Sequence, residues 1–202
     1  MEKRKNTFMR RAIIIALISF CTESSFGQIS KDNSFENTVK QVILKLSNRD
    51  SVGISKFIDK RTGVYILYTV GTKTTYDHYS KIGFSDTSYP NSHFYNHAKY
   101  SPINYAKVPS FSCSTGKWSK KGLFVDTTKF DQALSKTAES RNKYFHDNIS
   151  ANVILKFKEI EAESRRIVVA DDKGEGLIFF LSFIGGKWVL TIIDKATCDC
   201  GV

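Results

Sequence analysis

Apolar residues recur at helical spacing near the start of the chain. Phe35, Val39, Val42, Ile43 and Leu46 follow Ser34, a capping residue, and predict an amphipathic helix over 34–48. Asn48-Arg49-Asp50-Ser51 breaks the pattern. Asp50 or Ser51 then caps a short second helix that buries Ile54, Phe57 and Ile58. Thr62-Gly63 turns the chain into Val64–Val70, a β-branched and aromatic run that reads as a strand. Residues 71–110 follow no clear period and hold all three prolines, Pro90, Pro102 and Pro109. A short strand is expected over Phe111–Ser114. A helix is expected from Asp126-Thr127-Thr128 to about Arg141, burying Phe130, Ala133, Leu134 and Ala138. Val153–Ile160 alternates in part and reads as a strand. Arg166–Ala170, Gly176–Ile184 and Trp188–Ile193 read as further strands, joined by turns at Asp171–Gly174 and Gly185-Gly186.

Helices followed by antiparallel strands predict an α+β domain with the helices packed on a curved antiparallel sheet. The opening helices, the element order over residues 33–195 and the ending GLIFFLSFIGGKWVLTIID resemble the nuclear transport factor two-like cone. That shape is shared by ketosteroid isomerases, SnoaL-like proteins and small exported Bacteroidetes proteins. The resemblance implies a pocket. It carries over no activity, because the carboxylate and tyrosine positions of the isomerases have no counterparts that can be matched here. A cystatin-like sheet wrapped on one helix is the alternative.

The first 27 residues stand apart from this pattern. Lys3, Arg4, Lys5, Arg10 and Arg11 precede an apolar run, Ala12–Phe20, and a small-x-small ending at Gly27. This is the make-up of a secretory signal, with cleavage expected between Gly27 and Gln28. The apolar run is shorter than the ~20 residues a span requires, and no later run reaches that length. Lipidation at Cys21 is disfavoured by the bulky Phe20 before it. The expected product is a single α+β domain, residues 28–202, in the periplasm or outside the cell. The leader takes away five basic and two acidic residues, leaving +7 of the chain's +10. This charge is spread along the chain, with no basic stripe and no reading element, so nucleic acid is not an expected partner. Three cysteines remain, and export permits a disulfide, expected between Cys113 and either Cys198 or Cys200.

Residues 65–105 hold eight of the nine tyrosines and three of the four histidines. Tyrosine combines a stiff apolar ring with a hydroxyl and suits contact surfaces. A surface for a protein, peptide or glycan is therefore expected, with Tyr79, Tyr89, His93, Tyr95, His97 and Tyr100 as contact residues. His93 and His97 have the i, i+4 spacing of metal-chelating histidines. Phe94 stands where a metalloprotease carries its glutamate, so no metal is expected. Tyr76 and His78 would share one face of a strand and form the best acid–base pair, with Asp77 on the other face. No Gly-rich phosphate loop occurs, Asp171–Glu175 lacks the alternation of a calcium loop, and no cofactor is expected. Asn148-Ile149-Ser150 matches a glycosylation sequon. The first functional expectation is a non-enzymatic exported binding protein. The alternatives are a small pocket enzyme and an inhibitor or immunity-type protein.

Overall fold

The computed structural model describes residues 34–84, 98–128 and 132–200. The chain divides into two compact units, Met1–Asn37 and Thr38–Val202, and the architecture below is that of the second.

Helix α1 covers residues 34–47, and Val39, Val42, Ile43 and Leu46 are buried along it, as its period requires. Helix α2, Ser51–Ser55, is capped by Asp50, whose carboxylate accepts from the Gly53 amide at 2.7 Å and pairs with Lys45 at 2.9 Å. Strands β1 (Val64–Val70) and β2 (Lys73–Tyr79) form an antiparallel hairpin closed by a two-residue turn at Gly71-Thr72. β2 was not foreshadowed, because it is polar and lacks alternation. Short strands β3 (Ile103–Tyr105), β4 (Phe111–Ser112), β5 (Lys117–Trp118) and β6 (Gly122–Val125) follow.

Helix α3, Ala133–Tyr144, starts later than expected. Asp126 does not open it. Its carboxylate instead accepts from the amide and the hydroxyl of Thr128, at 2.9 and 2.6 Å, and holds a local turn. Phe130 lies outside the described residues. Helix α4, Ala151–Ala162, occupies the segment expected as a strand. The reason is local: Ser150 accepts from the Val153 amide as N-cap, and Ile154, Phe157, Ile160 and Glu161 fall on one helical face. Strands β7 (Ser164–Ala170), β8 (Gly176–Ile184) and β9 (Lys187–Asp194) complete the sheet, ahead of a short 3-10 turn at Ala196–Cys198.

Seven strands join in the order β2-β1-β9-β8-β7-β6-β3, and β4 and β5 pair separately. The fold is α+β, as expected. The sheet is mixed, since β1 pairs with β9 and β3 with β6 in parallel. Strand alternation splits the core in two. On one face Tyr65, Leu67, Val168, Ile178, Phe180 and Ile192 cluster with Leu134 and Ala138 of α3 and Phe157 of α4. Ile66, Ile167, Leu177, Phe179 and Ile193 point the other way and are buried too. Two buried faces explain why β8 is apolar from Leu177 to Leu181, and the buried Ser182 hydroxyl that follows is paired with that of Thr191 at 2.7 Å.

The disulfide joins Cys113 to Cys200, with their Cα atoms 5.5 Å apart, and Cys198 is the free thiol among the described residues. Cys198 packs against the helix-covered core. Burial, reinforced by Asp194, pushes its thiol up to about 12. No helix among the described residues is long and apolar enough to cross a membrane.

Candidate functional site

The β1–β2 hairpin carries three of the expected site residues, Tyr76, His78 and Tyr79, and its register decides how they are sorted. Tyr65 lies opposite His78, and Leu67 opposite Tyr76, so these side chains share the face covered by α3 and α4. Tyr76 and His78 do share a face. The Tyr65 ring stacks on His78 at 4.4 Å and meets Tyr76 edge-on at 5.7 Å, while Phe157 closes on both tyrosines. His78 is exposed, and its Nε2 lies 2.9 Å from the Thr62 carbonyl. Arg141 of α3 clamps the strand from outside. Its guanidinium sits 4.5 Å from the Tyr76 ring, donates to the Tyr76 carbonyl at 2.8 Å and pairs with Asp147 at 2.6 Å. Burial holds the Tyr76 hydroxyl above the usual phenol range, against the opposing pull of Arg141.

The opposite face of the hairpin carries a second constellation. Asp77 lies opposite Ile66, between Tyr68 and Tyr79. Its two carboxylate oxygens accept from the Tyr68 and Tyr79 hydroxyls, each at 3.2 Å. Burial, followed by the Asp77 charge, raises the Tyr68 hydroxyl. All three residues are half-buried. One carboxylate therefore engages two tyrosines, Tyr79 on the edge strand β2 and Tyr68 on its neighbour β1. The arrangement offers ring faces for stacking and a carboxylate acceptor between them, and the rings are ordered before any ligand arrives.

Comparison with family models, curated proteins and solved structures finds no match for this chain. Any functional argument rests on its own residues.

Of the expected contact residues, Tyr79 belongs to this second constellation. Tyr100 is exposed, with the Lys40 ammonium 5.6 Å from its ring. Tyr89, His93, Tyr95 and His97 lie outside the described residues. Among the described residues, no group of three or more His, Cys, Asp or Glu side chains is placed to hold a metal. Sequence reasoning passed over Tyr68, Arg141 and Asp147. Tyr68 becomes a partner of Asp77 only once the turn at Gly71-Thr72 sets the pairing, and a strand assignment for 73–79 would have revealed it.

A groove of about 470 Å³ opens elsewhere, lined by Asp126, Thr128, Lys158, Glu161 and Arg165 among others. Glu161 is the buried acid in it. Its carboxylate is already engaged: it accepts from the amides of Leu134 and Ser135 and from the Ser135 hydroxyl, at 2.6, 3.2 and 2.6 Å. It thereby caps the start of α3, where Gln132 makes no side-chain cap. Burial still raises its carboxyl above the ordinary range.

Proposed function

We propose that this is an exported, non-enzymatic binding protein whose contact surface is the edge strand β2 and the tyrosines beside it. The observation that carries the reading is the Asp77 carboxylate holding the Tyr68 and Tyr79 hydroxyls. A tyrosine pair held rigid before contact loses little conformational entropy on binding, which favours an aromatic recognition surface. Tyr100 extends the same chemistry. Export is supported by the leader-like residues 1–27, and the Cys113–Cys200 bridge fits an oxidising compartment. The opening helices and the closing β8–β9 hairpin support the likeness to nuclear transport factor two-like cones.

The test is a glycan and peptide array probed with the exported protein and with Asp77→Ala and Tyr79→Ala. Signal on the strongest ligands is expected to fall roughly tenfold or more in both variants, as for aromatic contacts at an interface centre. Equal signal from all three proteins contradicts the reading. N-terminal sequencing of the recovered protein is expected to begin at Gln28. An intact Met1 contradicts cleavage.

A second reading keeps Tyr76 and His78 as an acid–base pair, supported by their shared face and the exposure of His78. It predicts turnover of some array ligand that is abolished by His78→Ala.

A further inference from the structure

Two exposed aromatics stand side by side where α3 ends. Tyr144 is 50% and Phe145 44% exposed. The tip of the β1–β2 hairpin reaches the same spot. The Lys73 ammonium lies 4.0 Å from the centre of the Tyr144 ring, and that of Lys143 lies 5.1 Å from it. The acid closest in sequence, Asp147, is engaged by Arg141 at 2.6 Å. Two exposed aromatic side chains thus stand at this helix end with two ammonium groups beside the Tyr144 ring.

We propose that Lys73, Lys143, Tyr144 and Phe145 form a docking patch for an anionic phospholipid surface. Charge complementarity selects an anionic partner, and size selects lipid over protein. A stable protein interface needs about 800 Å² from each partner, well beyond two rings. A lipid surface requires only a few apolar side chains at headgroup depth and lysines close enough to feel the surface potential. The side-chain types fit that depth. Tyrosine and phenylalanine insert, and the lysine stems lie along the apolar surface while their ammonium groups stay with the phosphates. Lys73 is shared with β2, but the proposal rests on the α3-end aromatics and does not depend on the binding reading above.

The test is co-sedimentation of the exported protein with phosphatidylcholine vesicles containing about one third phosphatidylglycerol, and with phosphatidylcholine alone. Sedimentation is expected with the anionic vesicles and not with the neutral ones. Affinity is expected to fall roughly tenfold or more in Lys73→Glu/Lys143→Glu and also in Phe145→Ser, the fall for the lysine pair reversing the attraction of two charges near the surface. Lys120→Glu/Lys121→Glu, equal in charge change but placed in another turn, is expected to cost less than about threefold. Lys73 is half-buried and the other altered positions are exposed, and matching thermal midpoints establish folding. If a double variant fails to fold, Phe145→Ser alone decides. Absence of sedimentation with anionic vesicles overturns the proposal. So does an equal loss in the two charge variants, which would make net charge the cause. Tighter, patch-dependent binding to polyglutamate than to vesicles also overturns it, in favour of an acidic protein segment.

Discussion

Glu161 is 4% exposed, and it ties the C-terminal turn of α4 to the first turn of α3. Burial favours its neutral form, while the three donors from Leu134 and Ser135 favour its charged form, and burial wins. The folded state therefore holds the proton more tightly than the unfolded chain. This contribution to stability is complete below the ordinary value of 4.5 and is lost as pH rises through the raised folded value. Chemical denaturation across pH is expected to show the wild type losing stability relative to Glu161→Gln as pH rises from 4.5. Glu161→Ala orphans two helix amides and is expected to cost about 1–3 kcal/mol. Gly63 is a second critical residue. Its φ is +68°, and a β-carbon there would collide with the His78 imidazole and the Tyr79 carbonyl. Gly63→Ala is expected to cost about 1–3 kcal/mol in denaturation and to release His78 from the Thr62 carbonyl. The released histidine would appear as a shifted imidazole resonance.

Two elements illustrate what a sequence pattern conveys and what it hides. The segment Val153–Ile160 carries β-branched residues and partial alternation, both strand signals. Ser150 as N-cap, the good helix formers Leu155, Lys156, Lys158, Glu159, Glu161 and Ala162, and the spacing of Ile154, Phe157 and Ile160 outweigh them. Ser150→Ala is expected to cost about 1 kcal/mol in thermal or chemical unfolding, a loss that a strand would not show. β2 was hidden for the opposite reason. Its residues, Lys73-Thr74-Thr75-Tyr76-Asp77-His78-Tyr79, show no apolar alternation, because this edge strand is only half-buried. Its pairing comes from the tight turn and from β1, which the pattern did reveal with its bounds intact. Both hairpin constellations follow from that one register. The residue types were visible beforehand, whereas the pairing of Tyr68 with Asp77 was not. The split of Tyr76 and His78 from Asp77 needed only strand alternation, and it holds.

At the scale of the whole molecule, the α+β class followed from the run of helices before strands. The mixed sheet did not, since β1 and β9 lie far apart in the chain and β3 falls in a stretch with no strand period. The cysteine pairing was open for a similar reason. Cys198 and Cys200 are two residues apart, and only the packing of Cys198 against the core leaves Cys200 to reach Cys113. The bridge spans 87 residues, so Cys113→Ser or Cys200→Ser is expected to cost about 2–5 kcal/mol in unfolding experiments. Alkylation of the native protein is expected to leave Cys198 unmodified at neutral pH, because its thiol is held protonated and largely covered. The central claim places recognition on edge strand β2. It is tested most directly by amide hydrogen exchange of the protein with and without the strongest array ligand. Protection concentrated in Lys73–Tyr79 and its partner β1 is the predicted result. Protection confined to the Asp126–Arg165 groove, with β2 unchanged, would contradict it.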